Sequence, residues 1–83
     1  MYQVQISNRA IKALEKLPDG IYERITEALQ ELAQNPRPPG CKKMKGRQGY
    51  RIRVSDYRVV YEIEDDKLLV LIIDIGHRRE IYR

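Results

Sequence analysis

The sequence has no tryptophan and no phenylalanine, and it has only one cysteine and one histidine. A single cysteine excludes an internal disulfide and a CxxC metal or redox pair, which favours a reducing compartment. The longest apolar run, over residues 68–75, has eight residues with an aspartate inside, whereas about 20 are needed to cross a bilayer. The N-terminus shows no export signal. We therefore predict a cytoplasmic protein with no membrane association.

Charge is abundant but unevenly distributed along the chain. The 83 residues are 34% charged and 42% hydrophobic, which is typical of a small folded protein, and we predict a single domain over residues 1–83. The net charge of +4 combines −1 over residues 1–36, +7 over 37–61, −4 over 62–74 and +2 over 75–83. Cations clustered in this way are typical of proteins that bind phosphate-rich partners.

The first half of the chain is predicted to form a strand and a helical hairpin. The stretch "YQVQI" alternates polar and apolar residues as a strand does, and Ser7 and Asn8 after it are good helix caps. Apolar residues then recur at helical spacing on both sides of "PDG", which breaks the pattern, and Pro36 ends the second helix. The short break predicts that the two helices are antiparallel.

The second half of the chain is predicted to form a sheet. A loop rich in proline, glycine and lysine, with at most a short strand near residues 41–44, leads into two segments of period two at 50–54 and 57–63. The apolar run at 68–75 predicts an interior strand that is buried on both faces. Together the elements predict an α+β domain, in which the N-terminal strand and helical hairpin pack on one face of a small, mostly antiparallel β-sheet.

Three arginines are predicted to share the outer face of this sheet. If Ser55 and Asp56 form a two-residue hairpin loop, Arg53 lies opposite Arg58, and Arg51 lies on the same side. Directly opposed like charges destabilise a hairpin, and a bound anion would relieve that cost. The planar guanidinium also binds phosphate through two parallel hydrogen bonds. The pattern therefore favours a phosphate site.

The C-terminal stretch "GHRREIY" is predicted to converge with these arginines, because an antiparallel strand over residues 68–75 would return alongside Arg58. The register leaves Asp74 either on the basic face or turned inward. An alternative for the arginines is that they are solvated, or that they pair with Glu62 and Asp74. We favour the phosphate site, because two further arginines follow at the end of the neighbouring strand.

Several stretches together resemble the RelE/ParE superfamily of type II toxins. They are "YRIRVSDYRVVYEI", the acidic turn that follows, "LLVLIIDIGHRREIY" and the opening helical hairpin, and they cover essentially the whole chain. The most specific parts are "DYRVVYEI" and "IGHRREIY". The resemblance is to the RelE-like branch, and it implies the RelE-like fold, cleavage of mRNA in the ribosomal A site, and neutralisation by a cognate antitoxin.

The resemblance also assigns roles to single residues. Arg58 matches the arginine that holds the scissile phosphate, and Arg78 matches the one that stabilises the reaction centre and is proposed to protonate the leaving oxygen. Tyr82 matches the C-terminal tyrosine that orients or stacks on the substrate, although the spacer after Arg78 is shorter here. Arg51 and Arg53 stand where the best-known member has two lysines, one of them the proposed general base.

The identity of the proton acceptor is therefore open. An arginine stays protonated near neutral pH, whereas histidine is the side chain that titrates there, and His77 is the only histidine. We expect His77 either to carry a proton in catalysis or to be a solvated or capping residue at a strand end. We assign Arg53 and Arg58 to the developing charge on phosphorus and Arg51 to phosphate positioning.

One histidine, one cysteine and scattered carboxylates provide no ligand cluster, so we predict chemistry without a metal or other cofactor. The 2′-hydroxyl of the RNA would attack the adjacent phosphorus, and DNA would be spared because it lacks that group. The other cations of the loop are predicted to contact ribosomal RNA, the alternative being a solvated loop. They are Lys42, Lys43, Lys45 and Arg47.

The predicted partners are the ribosome with its mRNA and a RelB-like antitoxin, with operator DNA bound only as a complex with the antitoxin. Three other functions stay open. They are a ParE-like inhibitor of DNA gyrase, an inactive member that only binds antitoxin and operator, and a generic basic RNA-binding module. The resemblance speaks against gyrase inhibition, because that branch generally lacks the arginine and tyrosine constellation present here.

Overall fold

The computed structural model describes residues 1–46 and 48–77, so the predictions made for Arg47, Arg78 and Tyr82 lie outside the described residues. The elements are β1 (Gln3–Ile6), α1 (Asn8–Glu15), α2 (Asp19–Gln34), β2 (Lys42–Lys43), β3 (Tyr50–Val54), β4 (Tyr57–Glu64), a 3₁₀ turn (Asp65–Lys67) and β5 (Leu69–His77). This order confirms the predicted α+β class. None of the helices in these two ranges has the length and apolar character that crossing a membrane requires.

The five strands form one sheet in the order β1-β5-β4-β3-β2. β1 runs parallel to β5, and the other neighbouring pairs are antiparallel, so the sheet is mostly antiparallel as predicted. β5 lies between β1 and β4, which confirms that the most apolar segment forms an interior strand. The predicted burial of both its faces is wrong, because Leu69, Leu71 and Ile73 are only half-buried. The strand begins at Leu69 because Leu68 takes a left-handed conformation with φ of 50° at the end of the 3₁₀ turn.

The two helices begin and end where the local chemistry predicts. Ser7 caps α1, since its hydroxyl oxygen accepts a hydrogen bond from the backbone N–H of Ala10 at 3.1 Å. α2 begins directly after Pro18 and ends at Gln34. The residue that caps it is Asn35, whose backbone N–H donates to the carbonyl of Glu31 at 2.9 Å. Both helices bury one face and expose their charged residues, which is the pattern of helices packed on a sheet.

The core lies between the helices and the inner face of the sheet. It consists of Ala10, Leu14, Ile25, Leu29, Leu32, Ile52, Val59, Tyr61, Val70, Ile72 and Ile75. Tyr61 is fully buried, and its hydroxyl donates a hydrogen bond of 2.7 Å to the carbonyl of Pro36. Burial raises the pKa of Tyr61, so the hydroxyl stays protonated and remains a donor. This bond fixes the start of the loop that leads to β2.

β5 carries a bulge that the sequence pattern did not predict. The pairing of β4 with β5 shifts between Val60 and Tyr61, which makes Ile73 an extra residue in β5. The carbonyl of Ile73 accepts a hydrogen bond of 2.7 Å from the hydroxyl of Ser7, the same side chain that caps α1. The bulge is therefore tied to the start of the first helix.

A polar cluster closes the far end of the sheet beside the 3₁₀ turn. The Asp65 carboxylate accepts hydrogen bonds from the Arg37 guanidinium at 2.9 and 3.1 Å and from the Tyr2 hydroxyl at 2.7 Å. Arg37 also lies over the ring of Tyr50, with its guanidinium carbon 5.3 Å from the ring centre. The bonds from Arg37 and Tyr2 lower the pKa of Asp65 from 3.8 to about 2. The cluster joins β1, the loop before β2 and the turn before β5.

Candidate phosphate-binding site

The β3–β4 hairpin has the predicted two-residue loop. Ser55 takes a left-handed conformation with φ of 57°, and Asp56 completes the turn. Arg53 consequently lies directly opposite Arg58, as the sequence predicts, and Arg51 follows two residues away on the same face of the sheet.

These three arginines line one concavity on the outer face of the sheet. It has a volume of about 120 Å³, and Gly40 and Lys42 form part of its wall. Lys42 is the register partner of Arg51, so its side chain belongs to the same face. We call this concavity the arginine pocket. It brings together four cations, one of which, Lys42, was predicted to contact ribosomal RNA rather than the reacting phosphate.

The cations of the arginine pocket differ in exposure. Arg53 is exposed, whereas Arg51 and Arg58 are half-buried, and the Nη1 atom of Arg58 has less than 1 Å² of accessible surface. Charges in partly buried positions interact more strongly because solvent screens them less. The register partner of Arg58 in β5 is Gly76, which has no side chain to fill the space beside the guanidinium.

The remaining cations of the loop lie elsewhere. Lys43 is the register partner of Tyr50, on the face turned away from the arginine pocket. Lys45 is exposed in a turn beside Gly46. Neither residue lines the arginine pocket, and their contact with ribosomal RNA stays a prediction.

His77 lies on the opposite side of the sheet from the arginines. It is the partner of Tyr57 in the β4–β5 ladder, and its ring packs edge-on against the Tyr57 ring, with 5.5 Å between the ring centres and an angle of 82°. Successive residues of a strand point to opposite faces, so Gly76 lies beside Arg58 while His77 faces the helices. The structure does not bring His77 together with Arg53 and Arg58, and its catalytic role stays a prediction.

A second cationic surface, which the sequence pattern did not predict, lies between α1 and the end of β5. Arg9, Lys12 and Lys16 line it from the helix, and Tyr57 and His77 line it from the sheet, around a volume of about 460 Å³. We call it the helix-side groove. The three cations recur at i, i+3 and i+7, which places them on one helical stripe. The spacing can be found in the sequence, but the net charge of residues 1–36 does not indicate a cationic surface, because the two helices also carry acidic residues.

Asp74 belongs to the helix-side groove. One carboxylate oxygen of Asp74 pairs with Arg9 at 3.2 Å, and the other accepts the backbone N–H of Ile75 at 2.9 Å. The bulge at Ile73 sets this register. The sequence left open whether Asp74 lies on the basic face or turns inward. Its ion pair with Arg9 shows that the carboxylate faces α1.

The polar side chains of the arginine pocket supply positive charge and hydrogen-bond donors but no acceptor, because guanidinium and ammonium groups have none. It can hold a phosphate and stabilise added negative charge on it. It cannot itself remove a proton from a substrate hydroxyl. Within residues 1–46 and 48–77, no three His, Cys, Asp or Glu side chains are grouped so as to hold a metal ion.

The chain is similar in sequence to known toxins. It matches the family described as ParE toxin of the type II toxin-antitoxin system, parDE, over residues 4–82. In an alignment 91 positions long, gaps included, it is 32% identical to the mRNA interferase toxin RelE of Escherichia coli. The match covers 98% of this chain and 90% of that protein. The chain belongs to the RelE-like type II toxins. The family carries the ParE name, whereas the similarity to RelE places this toxin in the RelE-like branch.

The toxin also resembles solved structures of RelE proteins. The match to the intact E. coli RelBE toxin-antitoxin complex has a TM-score of 0.82 at 30% identity and covers 93% of this chain and 96% of that chain. The match to the archaeal RelE-RelB complex from Pyrococcus horikoshii has a TM-score of 0.84 at 31% identity. It covers 93% of this chain and 94% of that chain. These matches confirm the RelE-like fold.

Proposed function

We propose that the toxin is a metal-independent endoribonuclease that cleaves mRNA in the ribosomal A site and so inhibits translation. The observation that carries the proposal is the arginine pocket, where four cations surround about 120 Å³. Pockets for drug-sized ligands have about 300–1,000 Å³, so this one fits a single small group such as a phosphate. The E. coli relative at 32% identity is named an mRNA interferase, which supports RNA as the source of that phosphate.

The reaction uses a nucleophile that the RNA itself carries. The 2′-oxygen forms a bond to the adjacent phosphorus, the bond from phosphorus to the 5′-oxygen breaks, and the products are a 2′,3′-cyclic phosphate and a 5′-hydroxyl. A base takes the proton from the 2′-hydroxyl, and an acid gives one to the 5′-oxygen. Arg53 and Arg58 stabilise the added charge on phosphorus, while Arg51 and Lys42 hold the phosphate in place.

The remaining roles rest on the family resemblance. Arg78 acts at the leaving oxygen, and Tyr82 orients the substrate or stacks on a base. His77 stays the candidate proton carrier. Its ring faces the helices, so it can reach a phosphate in the arginine pocket only if its side chain turns round the end of β5 to the face of Gly76.

Primer extension on mRNA translated in a reconstituted system tests the proposal. We expect cuts within the A-site codon for the wild-type toxin, and a collapse of cutting for Arg58→Ala with ribosome binding largely kept. Arg24→Ala, which removes an exposed cation of α2, is the matched control and should cut normally. An Arg58→Ala variant that loses only binding, in proportion to the lost charge, would indicate a generic RNA-binding module instead.

The ParE name of the matched family makes gyrase inhibition the alternative. A DNA supercoiling assay separates the two functions. A toxin that leaves translated mRNA intact and blocks supercoiling would contradict the nuclease proposal. A toxin that does neither, yet binds antitoxin and operator, would be an inactive member.

We also propose a RelB-like antitoxin as the partner, with operator DNA bound by the complex of the two. The E. coli and P. horikoshii relatives were solved as toxin-antitoxin complexes, and the arginine pocket is complementary to acidic side chains.

The proposed place of action is the cytoplasm, where mRNA is translated. A single domain over residues 1–83 is supported by the family match over 4–82. Co-purification with the product of a neighbouring gene tests the partner.

A further inference from the structure

The helix-side groove is a built cationic surface apart from the arginine pocket. Arg9, Lys12 and Lys16 form one wall, and the stripe they make extends about 10 Å along α1 at 1.5 Å per residue. Ala13 and Leu17 form the apolar floor between this stripe and the sheet. Lys12, within α1, and Lys16, which caps its C-terminal end, are both exposed. A ligand that follows this wall meets successive positive charges.

The charge of the groove is positive after its one carboxylate is taken into account. Asp74 is paired with Arg9 at 3.2 Å, and its other oxygen is engaged by the backbone of Ile75. Lys12 and Lys16 therefore supply the positive excess. An extended polyanion fits this arrangement better than a single small anion, because the charges are spread along the helix rather than gathered at a point.

The opposite wall of the groove is aromatic. The rings of Tyr57 and His77 pack edge-on with their centres 5.5 Å apart, and both residues are only half-buried. An aromatic side chain beside a line of cations is the usual platform for a nucleic acid strand, since bases stack on the ring while cations hold the backbone. Stacking of this kind tolerates any base.

The groove and the arginine pocket lie back to back across the same end of the sheet. Tyr57 and Arg58 are neighbours in β4, and their partners His77 and Gly76 are neighbours in β5. Because neighbouring residues of a strand point to opposite faces, the two cationic surfaces lie on the two faces of the same end of the sheet.

We infer that the helix-side groove is a second RNA site, which holds the single-stranded backbone next to the phosphate that occupies the arginine pocket. Lys12 and Lys16 bind its phosphates, and Tyr57 stacks a base. The inference rests on the proposed function only for RNA as the ligand. An acidic segment of an antitoxin is the competing occupant, but a strand that already occupies the arginine pocket reaches the groove with no second molecule.

Salt-dependent binding tests the inference. The probe is a single-stranded RNA made uncleavable by 2′-O-methyl substitution throughout, and the proteins are the full-length toxin and its variants. We expect Lys12→Ala/Lys16→Ala to bind it several-fold more weakly at low salt, and the slope of log affinity against log salt to shrink by about 1.4, or about 0.7 per lost phosphate contact. Lys12→Arg/Lys16→Arg should restore both quantities.

The matched control is Arg24→Ala/Lys67→Ala, which removes the same charge from exposed positions that do not line the groove. Equal affinity and slope for the control and the Lys12→Ala/Lys16→Ala variant would overturn the inference. The inference would also be overturned if Lys12→Ala/Lys16→Ala kept its RNA binding but lost binding of an acidic peptide. If the wild type does not cut mRNA yet its RNA binding depends on Lys12 and Lys16, the proposed function fails and the inference stands.

Discussion

The hydroxyl of Ser7 joins the start of α1 to the bulge of β5, because it accepts the backbone N–H of Ala10 and donates to the carbonyl of Ile73 at 2.7 Å. One side chain thus satisfies a free N–H of the helix and a carbonyl at the bulge. Ser7 and Ile73 are 66 residues apart in the chain. The contact sets the position of α1, and with it the wall of the helix-side groove.

Replacing Ser7 with alanine is expected to lower the free energy of unfolding by about 0.5–2 kcal/mol, the usual cost of losing a helix cap. The lost bond to Ile73 adds to this cost. Urea denaturation at neutral pH measures the effect. Ser7→Thr keeps the hydroxyl and should stay close to the wild type. Equal midpoints for Ser7→Ala and the wild type would show that solvent replaces both bonds.

Asp65 is expected to make stability depend on acidity at low pH. Its pKa in the folded protein is about 2, below the ordinary value of 3.8, because Arg37 and Tyr2 donate hydrogen bonds to the carboxylate. The stabilisation is therefore present above pH 3.8 and is lost as the pH falls through about 2. The group is exposed, so the effect should be modest and should weaken with added salt.

Thermal unfolding of Asp65→Asn across that acidic range tests this dependence. The variant should show a lower melting temperature than the wild type at neutral pH, and the two curves should converge as the pH falls. Asp66→Asn, at the exposed neighbouring position, is the control and should follow the wild type. Parallel curves for Asp65→Asn and the wild type would mean that the bonds to Arg37 and Tyr2 do not affect stability.

Tyr61→Phe is expected to destabilise the fold by about 1–3 kcal/mol, because the carbonyl of Pro36 would lose its buried donor. The ring volume is kept, so the loss reports on the hydrogen bond. Tyr22→Phe at an exposed position should change nothing. Because the bond fixes the loop that leads to Gly40 and Lys42, we also expect weaker phosphate binding at the arginine pocket, measured by phosphate titration.

Arg53→Gln is expected to stabilise the free toxin while removing its activity. Arg53 and Arg58 are opposed across the hairpin, and like charges in that position cost a few tenths of a kcal/mol. The melting temperature at low salt should therefore rise slightly, and added phosphate should raise it less than in the wild type. Arg24→Gln is the charge-matched control. A lower melting temperature for Arg53→Gln would contradict a repulsive pair.

The arginine pocket was predictable because hairpin geometry is local. The loop at Ser55 and Asp56 sets which residues face each other, and period two then decides the face of Arg51, Arg53 and Arg58. Lys42 was missed as a member of the pocket because a strand of two residues carries almost no pattern of its own.

The helix-side groove was not predicted, because it depends on contacts between distant segments. The spacing of Arg9, Lys12 and Lys16 in the sequence predicts that they share one side of α1. The position of α1 against β5, however, follows from the parallel pairing of β1 with β5 and from the bulge at Ile73. A bulge adds one residue without changing the apolar character of the strand. The sequence pattern therefore left the register of Asp74 open and did not indicate the face on which His77 lies.

The parallel pairing of β1 with β5 has a consequence for biosynthesis. Gln3 pairs with Leu69, so the sheet cannot be completed until β5, the last of the described strands, has been synthesised. Closing so long a loop is slow compared with forming the helical hairpin or the β3–β4 hairpin. Until β5 has been synthesised, a nascent chain therefore holds Arg51, Arg53 and Arg58 on an incomplete sheet.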